Sequence, residues 1–202
     1  MSSRYPIPAG KARAELLVVN SRFVATAGPA SSVEAAKAFI AAVRQELPGA
    51  SHYCYAFLVG YGASVTAGMS DDGEPAGTAG RPMLAVLRGA GLGDVIVVVT
   101  RYFGGTLLGT GGLVRAYGDA VKAVLAVLPR GEHITVRRLT AQIGYDAYSA
   151  ARRALERAGA RISGEELGVD VRLHIEAPAE AYPMIVAALE TATAGRAQIE
   201  EL

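Results

Sequence analysis

The sequence predicts a two-domain α+β protein, and three observations carry that expectation. From residue 131 onward the extended and helical patterns follow the order β-α-β-β-α-β, the succession of a ferredoxin-like split βαβ unit. Upstream, strand-like and helix-like periods alternate around "VIVVV" at 95–99, a run apolar at every position that reads as a strand covered on both faces. Composition shifts at the same place. Residues 1–134 carry 12 basic and 9 acidic side chains against 8 and 10 in the remainder, and 13 of the 24 glycines fall between Gly68 and Gly118. The expected domains are therefore 1–132 and 133–202, with any chemistry in the glycine-rich middle of the first.

Taken in order, "ELLVVNSRFVATAG" reads as two extended runs meeting at Asn20-Ser21, a hairpin. "SSVEAAKAFIAAVRQELPG" has a Ser start, an early Glu, apolar residues at helical spacing (Val33, Ala36, Phe39, Ile40, Val43, Leu47) and a Pro-Gly stop. "SHYCYAFLVGYG" alternates, with Tyr53, Tyr55, Phe57 and Val59 on one face and His52, Cys54, Ala56 and Leu58 on the other; "ASVTAGMS" returns as its partner. After the turn-rich "DDGEPAGTAG", the helix "RPMLAVLRGA" tolerates Pro82 because a first-turn N–H has no intrahelical partner. The central strand "DVIVVVT" then leads through a glycine segment into a long helix, "LVRAYGDAVKAVLAVL", which stops at Pro129. The second domain reads as strand "TVRRLTAQIGY", helix "YSAARRALERAG", strands "ARISGEEL" and "VDVRLHIEA", helix "PAEAYPMIVAALETA" and strand "RAQIEEL".

Composition limits the function classes. With 51% hydrophobic residues the chain can bury a real core, and 19% charged residues with a net charge of +1 indicate neither a basic nucleic-acid coat nor an acidic tail. The single cysteine, Cys54, excludes an intramolecular disulfide and a Cys-rich zinc site. No apolar run reaches membrane-spanning length, and "MSSRYPIPAGKARAE" has no apolar signal core, so a cytoplasmic protein without membrane contact is expected.

"TRYFGGTLLGTGG" is the most informative stretch, five glycines between a buried strand and a helix. A Walker loop needs Lys-Ser or Lys-Thr after its last glycine; here Thr110 and Gly111 follow Gly109. The dinucleotide fingerprint fails at Val114, where its third glycine belongs. What remains is a generic anion cradle: backbone amides of Gly104, Gly105, Gly109, Gly111 and Gly112 at a helix N-terminus, with Arg101 and Arg115 adding positive charge. The same glycines also suit tight turns and close packing. Tyr102 and Phe103 follow Arg101 directly; neighbours on a strand point to opposite sides, so one of them faces outward, able to stack on a base.

A second constellation is "SDDGEPAGTAGRP". Asp71, Asp72 and Glu74 lack the alternation of a calcium loop, and capping backbone amides or pairing with arginines suits them better than acting on a substrate. His52, His133 and His174 fall in no metal-ligand spacing, and no serine sits in a nucleophile elbow. His52, Asp71, Asp72, Glu74 and Arg81 mark an acidic site, and the alternatives are a small metal-dependent hydrolase using Asp71, Asp72, Glu74 and His52, or a protein-interaction module. No cofactor is expected.

"SDDGEPAGTAGRPML" followed by "DVIVVVTRYFGGTLLGTGGLVRAYGDA" resembles the signature of the IMPACT family, in its bacterial YigZ-like branch, and the resemblance spans essentially the whole chain. It implies an N-terminal domain with the left-handed βαβ topology of domain IV of elongation factor G, against the usual right-handed crossover, and a ferredoxin-like domain similar to that factor's domain V. Many relatives carry a lysine in the "GGTLLG" turn where this chain has Thr106 or Leu107, which removes a phosphate-contacting candidate. Likeness to a translation factor implies binding to RNA, the ribosome or a protein partner. The expectation is thus a non-catalytic binding protein of the translation and stress-response machinery, working through the Arg101–Arg115 segment.

Overall fold

The computed structural model describes residues 3–202 and divides into two compact units, 3–133 and 134–202, each with its own core. The first contains β1 (Arg4–Pro8), β2 (Ala12–Val18), β3 (Ser21–Pro29), α1 (Val33–Glu46), β4 (His52–Val59), a single 3-10 turn (Gly62–Ser64), β5 (Thr66–Ser70), α2 (Gly80–Gly89), β6 (Val95–Tyr102), α3 (Gly109–Val127) and β7 (Arg130–Ile134). Strands β2-β3-β6-β4-β5 form one antiparallel sheet, with β6 inserted between β3 and β4.

The pleat explains the apolar run. Val95, Val97 and Val99 point with Phe23, Ala25, Cys54, Ala56 and Leu58 into a core closed by α2 and α3, while Ile96 and Val98 join Tyr53 and Phe57 beneath α1. Helices cover both faces of β6, and full burial of each such side chain is worth about 1.5–3 kcal/mol. Tyr53 and Phe57 therefore belong to the core. Ser32 caps α1 as its sequence predicts, its hydroxyl accepting from Ala35 N at 3.0 Å.

Two details differ from the sequence reading. The β2-β3 turn centres on Val19 and Asn20, both at positive φ (44° and 65°), one residue earlier than expected. That pair of left-handed residues is what a two-residue hairpin loop requires, and the need overrides the reluctance of a β-branched valine. Strands β1 and β7 pair into a separate two-stranded ribbon that the patterns did not reveal. The proline-broken "RYPIP" carries little strand signal, because a proline cannot donate to a ladder. Tyr5 of this ribbon stacks between Tyr61 and His133, at 5.0 and 4.5 Å between ring centroids.

The second unit contains β8 (Val136–Ile143), α4 (Tyr145–Arg157), β9 (Arg161–Leu167), β10 (Val171–Pro178), α5 (Tyr182–Ala192) and β11 (Gln198–Glu201), with the antiparallel sheet order β11-β8-β10-β9. This is the ferredoxin-like arrangement. Ala151 and Leu155 of α4 and Ile185 and Leu189 of α5 repeat at helical spacing and pack on Leu139, Ala141, Ile143, Val171, Leu173 and Ile175 of the sheet. His174 faces Glu166 Oε1 at 3.0 Å, a surface pair.

Candidate functional site

The site lies at one end of the five-stranded sheet, where register brings three side chains into a row. Phe23 of β3, Arg101 of β6 and His52 of β4 are direct cross-strand neighbours, and they share the face covered by α2 and α3. Strand periodicity alone makes the Arg101 guanidinium, two residues beyond Val99, emerge where the core ends.

Arg101 is buried, with a side chain 5% exposed, and donates from Nη1 to Glu74 Oε1 at 2.6 Å. Tyr117 of α3 donates its hydroxyl to the same Oε1 at 2.7 Å. Arg101 Nη2 reaches Ser21 Oγ at 3.4 Å, but its Nε has no hydrogen-bond partner. Arg101 is therefore not the open phosphate clamp the sequence suggested; it is committed to Glu74, and breaking such a buried pair costs about 3–5 kcal/mol.

The three acidic residues separate into three roles. Asp71 reaches back to the start of α2 and accepts from Gly77 N (2.8 Å), Ala79 N (3.0 Å) and Gly80 N (2.8 Å), capping a helix whose own N-cap, Ala79, has no side-chain oxygen. Burial pushes its carboxyl up, but the backbone donors outweigh that, with help from Arg81, and hold it below the ordinary range. Asp72 sits at φ 44°, accepts from Tyr53 N at 2.7 Å and pairs with Arg44 at 2.6 Å. Only Glu74 turns inward. Among the described residues no three His, Cys, Asp or Glu side chains gather as a metal-binding group, so the ligand set imagined for a metal-dependent hydrolase does not assemble.

Beneath Glu74, Cys54 Sγ lies 2.9 Å from the Asp71 carbonyl and 3.3 Å from Tyr117 Oη. Burial pushes the Cys54 thiol up to about 12 and the Tyr117 phenol higher still, so both stay protonated as donors.

Above the network opens a pocket of about 400 Å³ lined by His52, Glu74, Arg101, Phe103, Leu107, Leu108, Thr110 and Leu113, among others. The N-terminus of α3 borders it through Leu108, Gly109 and Thr110, and Leu108 offers no side-chain cap to the first-turn amides. The loop glycines divide by physical need. A Cβ on Gly104 would lie 2.0 Å from the Asn20 carbonyl oxygen, and Gly105 and Gly109 take φ of 81° and 70°. Gly112 closes on Leu108 Cβ, whereas Gly111 has nothing within 4 Å. Phe103 is the exposed aromatic, 48% accessible, while Arg22 covers the Tyr102 ring at 4.4 Å. Arg115 and Arg81 lie exposed on their helices.

The Impact N-terminal domain family matches residues 19–125, from the β2-β3 turn to the last turns of α3. The chain belongs to the IMPACT family. It is 39% identical over 194 residues to IMPACT family member YigZ of Escherichia coli K12, covering 96% of this chain and 95% of that one. An IMPACT family member of Haemophilus influenzae is 46% identical over 127 residues, 62% of each. A crystal structure of a hypothetical protein superposes with a TM-score of 0.73 at 37% identity, covering 100% of this chain and 98% of that chain. The IMPACT match spans both site motifs, Asp71–Pro82 and Arg101–Tyr117. Sequence reasoning gave Tyr117 and Cys54 no role; the signal available was a tyrosine on the apolar stripe of a helix, whose hydroxyl needs a buried partner.

Proposed function

We propose that this IMPACT family chain is a non-catalytic RNA-binding protein acting with the translation machinery, and that RNA docks where α3 begins. The observation that carries the reading is the uncapped, glycine-rich first turn of a 19-residue helix opening into the pocket beside Phe103 and Arg101. Helix N-termini favour anions, and an exposed aromatic gives a base a face to stack on. The likeness to two domains of elongation factor G that the family resemblance implies points to the same partner class.

The binding surface differs from the one the sequence suggested. With Arg101 tied to Glu74, phosphate contact falls to the α3 amides and to Arg115, and stacking to Phe103. Few cations take part, so affinity depends only shallowly on salt.

A titration of single-stranded and ribosomal RNA at about 50 and 200 mM salt tests this. Arg115→Ala lowers the salt slope by about one, and Thr110→Asp, which sets a carboxylate at the helix start without burying it, abolishes binding while the fold stays intact. No binding by the parent protein at low salt, or full binding by Thr110→Asp, overturns the reading.

A further inference from the structure

Inside the pocket, when the His52 ring is neutral, two acceptors face each other with no donor between them. His52 Nδ1 lies 2.8 Å from the Asp72 carbonyl oxygen, which can only accept, so Nδ1 carries a proton, and in the neutral ring Nε2 presents a lone pair. Glu74 Oε2 stands 3.9 Å from that Nε2, beyond hydrogen-bond reach, while Oε1 is engaged by Arg101 and Tyr117. The pocket also holds the opposite need: the first-turn amides of α3 are donors without a side-chain acceptor, and the buried Arg101, beside Glu74, has its Nε unpaired.

A complementary ligand brings two adjacent donors to Glu74 and His52 and an acceptor to α3. The helix terminus disfavours a cation, so the donors are neutral, as two adjacent hydroxyls are, and the anion belongs at the start of α3. Phe103, Leu107, Leu108 and Leu113 give an apolar wall for a ring, and about 400 Å³ suits one nucleotide-sized unit better than a run of backbone.

We propose that the pocket recognises a ribonucleotide unit with a free 2′,3′ cis-diol, the two hydroxyls donating to Glu74 Oε2 and His52 Nε2 and the phosphate resting on the start of α3. The 3′ end of an RNA and a free 5′-nucleotide share this chemistry. The inference rests on the RNA-binding reading and narrows it from strand to end. DNA lacks one hydroxyl, a 3′-phosphorylated RNA has one blocked, and periodate cleaves the diol.

Fluorescence anisotropy with one short labelled sequence in four forms decides it: RNA with the free diol, RNA with a 3′-phosphate, periodate-oxidised RNA, and DNA. The expected result is binding about tenfold tighter for the free diol, competition by AMP but not 2′-deoxy-AMP, and loss of that preference in His52→Gln with an unchanged melting curve. Equal affinity for all four forms overturns end recognition and leaves RNA binding standing. No binding to any oligonucleotide or to AMP overturns both. AMP binding without oligonucleotide binding supports the diol site and identifies the free nucleotide as its source.

Discussion

Asp71 shows how far residue type alone leads. Its side chain was expected to cap backbone amides or pair with an arginine, and it caps α2 through three amides six, eight and nine residues on. Nothing local announces that reach, because the capping oxygen comes from outside the usual N-cap position. A carboxylate whose folded value lies below its unfolded value of about 3.9 stabilises fully above that pH and loses the contribution as pH falls through the folded value. Asp71→Asn is therefore less stable than the parent at neutral pH by about 0.5–2 kcal/mol, and the gap narrows below about pH 4. Urea melts at the two pH values check this; a gap that persists in acid would show that shape, not charge, does the capping. For Cys54 the same burial predicts chemical silence: a thiol reagent at about pH 8 leaves the native protein unmodified and reacts once denaturant unfolds it. The pairing of Arg101 with Glu74 was one of two fates the sequence left open, and only register, setting Arg101 beside Phe23 and His52, decides it. Glu74→Ala then strands a buried guanidinium and destabilises by about 3–5 kcal/mol, read as a loss of several degrees in Tm.

Elements were easier to read than their joints. The existence of α1, α3 and β6 follows from period and capping, since a helical stripe or an unbroken β-branched run survives small errors of boundary. The joints depend on φ signs and close approaches that no period encodes. The glycine segment illustrates this, for its five glycines look equivalent in sequence and are not. Gly104→Ala forces a methyl into the β2-β3 turn and costs several kcal/mol or prevents folding, whereas Gly111→Ala meets open space in the first turn of α3 and stabilises by up to about 1 kcal/mol. Thermal melts of the two variants give opposite signs. Equal effects would mean the segment is strained as a whole rather than at single points.

At the scale of the molecule, the second unit was legible as ferredoxin-like because its order of elements and the helical spacing of its apolar residues agree. The first unit was legible only as layers: one run apolar on both faces demands helices above and below, yet the strand order β2-β3-β6-β4-β5 does not follow from pattern. Each unit closes its own core, so residues 134–202 produced alone give a dispersed amide NMR spectrum and a cooperative melt. A collapsed, undispersed spectrum would show that the second core needs the first.

The place of β6 carries a consequence for how the chain is made. Strands β3 and β4 never pair with each other; each bonds to β6, which follows β3 by roughly seventy positions. During synthesis each therefore emerges with one edge that stays open until β6 is made. The first unit waits for residue 102 to clear the ribosome before its sheet can close from the middle outward. Of all its segments, "VIVVV" is the one whose arrival joins the two halves of the sheet, which α3 then covers.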